Sequence, residues 1–191
     1  MRGPLDGSAT INDAQHRSFN SGEHDMTWSS KARAFWPLLL SVFLTDCATK
    51  QIATEHLAPA YTAHEVLGDW LRFVLAYNRG AAMGIPLGSW TRPLLAAIAV
   101  AMLGLLWAWY RRLNRQDWAT AAALGLIAGG ALGNLLDRAR WDRGVVDFID
   151  VGFGAVRFWT FNVADVGITC GALWLAWRLG WNTGHPRQAA V

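Results

Sequence analysis

The chain has 191 residues, room for one domain of ordinary size. Hydrophobic residues make up 53% of it and charged residues 16%, against about 25% charged in a typical soluble domain. A formal charge of +3 is too small to argue for nucleic acid, and two cysteines are too few for a disulfide framework.

Residues 1–25 are Gly, Ser, Asn, His and Asp with almost no apolar periodicity, so disorder is expected and no apolar signal-peptide core is present. Met26 reads as an alternative start, which makes those residues an extension without catalytic importance. The expected organisation is a cytoplasmic tail over 1–33, a membrane domain over 34–181 and a second cytoplasmic tail over 182–191.

A first span runs from Ala34 to about Lys50, apolar until Asp46. After it, Trp70 to Tyr77 has strand composition and Asn78-Arg79-Gly80 reads as a turn. Thr91 to Tyr110 is the clearest span, apolar except for Arg92 and long enough at ~1.5 Å per residue to cover the ~30 Å bilayer core. Trp118 to Asp137 is apolar until Asn134. Gly144 to Val151 is strand-like, and Gly152 to Gly154 turns into Ala155–Trp159. Phe161 to Trp181 is apolar apart from Asn162, Asp165 and Arg178.

Lys31 and Arg33 precede the first span, Arg111, Arg112 and Arg115 follow the second, and Arg178 and Arg187 close the fourth. The positive-inside rule then puts both termini in the cytoplasm, although Arg72, Arg79, Arg140, Arg143 and Arg157 on the other side moderate the bias. Alternating spans bring Asp46, Lys50, Asn134, Asp137, Arg138, Asn162 and Asp165 near the outer face. The expected fold is therefore a mainly α membrane protein, four transmembrane helices with a small β cradle on the extracytoplasmic face. The twelve tryptophans suit the two membrane interfaces.

Ionisable groups at membrane depth cost roughly 2.5–3.5 kcal/mol each, so each needs a reason. On the third span Gly125, Gly129, Gly133 and Asp137 share one i+4 ridge, with Gly130, Asn134 and Arg138 on the next. Small residues at that spacing let another helix approach closely, and the polar residues lie where the seam reaches the interface. Asp147 sits in an apolar strand-like run, and Asp165 in the first turn of the fourth helix, where Asn162 is a good N-cap. Two carboxyl groups meeting at a partly desolvated interface share a proton, leaving one acid and one base to activate water. Asp137, Asp150 and Asp46 compete with Asp147 and Asp165 for that pairing. Asp46 and Lys50 are spaced for an i,i+4 ion pair. His56 and His64 read as exposed loop residues, and Cys47 and Cys170 as small hydrophobes within helices. A proton- or ion-coupled small membrane transporter would also carry intramembrane charges, and a partner-binding subunit would explain the glycines but not the paired aspartates; no internal repeat supports the transporter.

Five blocks in order resemble the bacterial lipoprotein signal peptidases, the signal peptidase II family. They are Asp46-Cys47-Ala48-Thr49-Lys50, Asn78-Arg79-Gly80-Ala81-Ala82, the run from Gly129-Gly130 through Gly133-Asn134 to Asp137-Arg138, Val145-Val146-Asp147-Phe148-Ile149, and Phe161-Asn162-Val163-Ala164-Asp165. The resemblance spans about residues 34 to 180. It departs at Cys47, where the family often has Gln, and at Met83, where Phe usually stands. The resemblance implies an intramembrane aspartic endopeptidase of the bacterial inner membrane that cuts diacylglyceryl-modified prolipoproteins before the lipidated cysteine. It implies Asp147 and Asp165 as the catalytic pair, with Asn78, Gly80, Asn134, Arg138 and Asn162 binding substrate and Asp46, Lys50 and Asp137 in support. It implies no metal and no cofactor, a monomer in contact with membrane lipids, and sensitivity to the cyclic peptide globomycin.

Overall fold

The computed structural model describes residues 28–80 and 90–184. The N-terminal extension with Met26, the Ala81-Ala82-Met83 stretch and Arg187 lie outside the described residues. The elements run α1 (Ser30–His56), β1 (Ala63–Leu67), β2 (Leu71–Asn78), α2 (Thr91–Arg112), α3 (Trp118–Arg140), β3 (Val145–Phe153), β4 (Val156–Arg157) and α4 (Val163–Gly184).

The glycine ridge read on the third span is a packing seam on two sides. A Cβ on Gly125 or Gly129 would stand 2.6 or 2.5 Å from the backbone oxygens of Phe35 and Leu39 on α1. A Cβ on Gly130 would stand 2.3 Å from the Ala164 oxygen on α4. Only hydrogen fits at these places, so α3 lies in close contact with both neighbours and is the most buried of the helices. Gly129→Ala is expected to destabilise the fold by roughly 1–3 kcal/mol, because helix backbone rather than a mobile side chain must yield. Thermal unfolding in detergent measures this, and an unchanged midpoint would contradict so tight a seam.

Beside the seam, Phe35 and Tyr110 stack at 4.2 Å between ring centroids and join Leu39, Leu106, Ala121, Leu124 and Ala128 in the apolar core. At the same end Lys31 Nζ donates to the Tyr110 and Leu113 carbonyls, a cation on the C-terminus of α2. Asp117 caps α3 by accepting from Thr120 N and pairs with Arg178 at 3.0 Å. The polar groups of the candidate site gather at the opposite end.

The outward faces of α1, α2 and α4 are apolar: Leu44, Ile98, Leu105, Leu173 and Trp177 are all exposed. By length and composition, α2 and α3 can cross a membrane. The β elements form one four-stranded antiparallel sheet in the order β1-β2-β3-β4. Two of its strands match the strand-like segments of the sequence, while β1 had no such signal. The predicted turn after Val151 comes later, because β3 continues to Phe153 before Gly154 turns into β4. Neither histidine lies in a loop: His56 ends α1, exposed, and His64 is a partly buried residue of β1. In β2 and β3, Ala76 stands opposite Asp147 and Asn78 opposite Val145, which carries Asp147 over the helix ends.

Candidate active site

Asn162 lies just ahead of α4 and is fully buried. Its Oδ1 accepts from Asp165 N (3.0 Å), while Asp165 Oδ2 accepts from Asn162 N (3.2 Å). This reciprocal capping box fixes the Asp165 carboxylate at the start of the helix. The Asn162 amide nitrogen faces three oxygens: Asp147 Oδ1 at 2.6 Å, Asn134 Oδ1 at 3.2 Å and the Val146 carbonyl at 3.2 Å. One asparagine therefore joins β3, α3 and α4 and holds both aspartates.

Asp147 is buried near the start of β3, opposite Ala76, and Asn78 of β2 also hydrogen-bonds its carboxyl. Burial, and then the neighbouring Asp165 charge, push its pKa up to about 6, against the opposing effect of the two asparagines and Lys50. Asp165 is partly exposed, and its other oxygen accepts from Asn134 Nδ2 at 2.9 Å. The Arg138 guanidinium, one turn below Asn134 on α3, lies within electrostatic reach of Asp165, Asp147 and Asp137. Beside Asp165 opens an apolar cavity of about 270 Å³ lined by Phe158, Phe161, Val166, Thr169 and Cys170.

The three competing aspartates are all committed to basic partners. Asp46 and Asp137 meet Lys50 Nζ at 2.7 and 3.0 Å, so the expected i,i+4 pair is one half of a buried triad. Asp46 also accepts from Ala164 N (2.8 Å) at the start of α4, and Asp137 from Val146 N (3.1 Å) at the start of β3. Asp150 lies further along the sheet, gripped by Arg72 at 2.8 Å and Arg157 at 3.0 Å. Burial alone would raise its pKa, but the Arg157 and Arg72 hydrogen bonds prevail and hold it below the ordinary carboxylate value. This arginine clamp, completed by Asp69, was not read from the sequence; the facing positions of Arg72 and Asp150 emerge only from the strand register.

Gly80 follows the end of β2, its N–H donating to Asn78 Oδ1 (2.9 Å). Its φ of +95° favours glycine, and a Cβ there would push aside the Leu95 side chain of α2. Asn78, Gly80, Asn134, Arg138, Asn162, Asp147 and Asp165 thus gather at one end of the helices, with Asp46, Lys50 and Asp137 packed behind them.

Residues 38–181 match the family described as Signal peptidase (SPase) II. The chain belongs to the signal peptidase II family. A lipoprotein signal peptidase of Ectopseudomonas mendocina is 42% identical over 158 residues, covering 80% of this chain and 92% of that one. One from Teredinibacter turnerae is 38% identical over 148 residues, covering 76% and 86%. A bacterial membrane enzyme determined in meso at 2.3 Å superposes with a TM-score of 0.72 at 29% identity, over 81% of this chain and 92% of that one. As a signal peptidase II the protein is a protease, and the transporter and partner-subunit alternatives fall away.

Proposed function

We propose that this signal peptidase II removes signal peptides from diacylglyceryl-modified prolipoproteins, cutting before the lipidated cysteine with Asp147 and Asp165 as its catalytic pair. The observation that carries the reading is the buried Asn162, which holds both carboxyl groups in one hydrogen-bonded set. Asp165, the more open of the two, acts as the base: it takes a proton from water as the water oxygen attacks the scissile carbonyl. Asp147 acts as the acid, donating its proton to the carbonyl oxygen. Collapse of the resulting diol breaks the C–N bond: the proton on Asp165 passes to the leaving amine, and a diol hydroxyl returns its proton to Asp147 as the new carboxyl group forms. Arg138 offsets the negative charge of the pair, and Asn78 with Gly80 receives the substrate backbone at the mouth. No metal or organic cofactor is assigned to this chemistry.

α1 and α4 cross the membrane together with α2 and α3, a reading supported by their apolar exposed faces and by the Lys31 and Arg178 end opposite the site. The protein then sits in the bacterial inner membrane with both termini in the cytoplasm and the sheet over the outer face. The apolar cavity beside Asp165 gives the substrate's apolar segment a path to the pair.

The acid role of Asp147 sets a pH dependence. Its proton is lost as pH rises through about 6, so kcat/KM of the free enzyme falls on the alkaline side with that apparent pKa. The test is cleavage of a purified diacylglyceryl-prolipoprotein by the reconstituted chain across pH. Release of the signal peptide with that alkaline decline supports the reading; activity flat from pH 5 to 8 contradicts the assigned acid.

A further inference from the structure

Lys50 stands behind the catalytic pair and touches neither aspartate of it. Its Nζ is surrounded by three oxygens, those of Asp46, Asp137 and Asn134 (2.9 Å to Oδ1), and its side chain is only 5% exposed. An ammonium has donors and no acceptor, so Asn134 must turn its carbonyl oxygen toward Lys50 and its amide nitrogen the other way. That nitrogen is the donor to Asp165 Oδ1. We propose that Lys50 is a positioning residue for catalysis, which sets and polarises the Asn134 amide so that it presents an N–H to the Asp165 carboxylate.

The inference rests on the catalytic pair proposed above and adds to it a line of three groups: ammonium, amide, carboxylate. With Lys50 in place the amide cannot flip, because its oxygen would then meet Asp165 and its nitrogen the ammonium. The Asn162 amide nitrogen supports the same orientation by donating to the same Asn134 oxygen. The link is strengthened by burial at the Lys50–Asn134 contact, while the Asn134–Asp165 contact is part-buried. The charged groups facing Asp165 are Asp147 from β3, Arg138 from α3 and, behind Asn134, Lys50 from α1; Asp46 and Asp137 lie beyond Lys50. The carboxylates of Asp46 and Asp137 keep the ammonium in place, which gives the triad a role in the reaction besides holding helices together.

The test uses the full chain, a diacylglyceryl-prolipoprotein substrate and the variants Lys50→Gln, Asn134→Ala and both together. Lys50→Gln is expected to lower kcat by about 10–100-fold with KM within about twofold, since a hydrogen bond to a charged group is lost in the reacting set. A fall in kcat with KM kept is the readout that mere loosening of the fold would not give. In the Asn134→Ala background the same change costs under about threefold, because the group through which Lys50 acts is already gone. Should Lys50→Gln leave Asp46 and Asp137 too unbalanced to fold, Asp46→Asn/Lys50→Gln removes one charge of each sign and carries the same expectations. A folded variant with wild-type kcat overturns the proposal, as does a loss that multiplies in full with Asn134→Ala. Activity surviving in Asp165→Asn is a separate result, which would remove the catalytic pair itself.

Discussion

Asp147→Asn and Asp165→Asn each lower kcat by about 10³-fold or more while leaving the protein folded, because each keeps the shape of the side chain and deletes a proton donor or acceptor. The two losses do not multiply. Once one partner is gone the remaining carboxyl cannot complete the proton transfer alone, so the double variant is about as inactive as either single one. The folds survive for different reasons. Asn at 165 keeps one oxygen, which accepts from Asn162 N so that the capping box persists, while the contact with Asn134 Nδ2 is lost. Asn at 147 keeps an oxygen for Asn162 Nδ2 and carries no charge that could repel Asp165. Substitutions at the competing carboxylates behave otherwise. Asp150→Asn loosens the hold of Arg72 and Arg157 on the sheet and lowers the melting temperature more than it lowers kcat. Steady-state cleavage and thermal unfolding of the same preparations separate these outcomes; a fully active Asp165→Asn would remove the assigned base.

Asn162→Ala is expected to combine both kinds of damage. The substitution deletes the donor to Asp147 and the contacts with Asn134 and the Val146 carbonyl. It also deletes the oxygen that caps α4 at Asp165 N. Loss of the cap costs about 1 kcal/mol of stability. Loss of a hydrogen bond to a charged group, about 1.5–3 kcal/mol, corresponds to roughly 10–100-fold in kcat if it is felt in the transition state. Asn162→Asp tests the sign of the site's electrostatics: it retains a capping oxygen but brings a third carboxylate against Asp147, and falls below Asn162→Ala in activity. A capping role alone predicts the reverse, with Asn162→Asp close to wild type, since Asp is as good an N-cap as Asn.

Much of this arrangement was legible in the sequence, and the parts that were not have physical reasons. The glycine ridge on α3 could be read because helix period and residue size suffice to define a close-packing face. The strand character of β2 and β3 followed from their β-branched and aromatic residues. β1 escaped because Ala63-His64-Glu65-Val66-Leu67 has little alternation and lies mostly exposed at the edge of the sheet. The Asp46–Lys50 pair was visible as a local spacing, but its third member, Asp137, comes from a different helix and only packing brings it in. Choosing among the aspartates required the same kind of long-range information. Asp147 and Asp150 are three residues apart on one strand, yet one turns toward Asn162 and the other toward two arginines. Asn162 could be read as a cap; that the same side chain bridges two carboxyl groups depends on β3 crossing the end of α4, where Ile149 pairs with Phe161.

The most direct test of the account is mass spectrometry of the products formed when the purified chain and its Asp147→Asn/Asp165→Asn variant meet a diacylglyceryl-prolipoprotein. The account predicts two products from the wild type, a free signal peptide and a mature protein whose first residue is the lipid-modified cysteine, and intact substrate with the folded variant. Cleavage at the same bond by the variant, or a wild-type cut elsewhere in the chain, would contradict it.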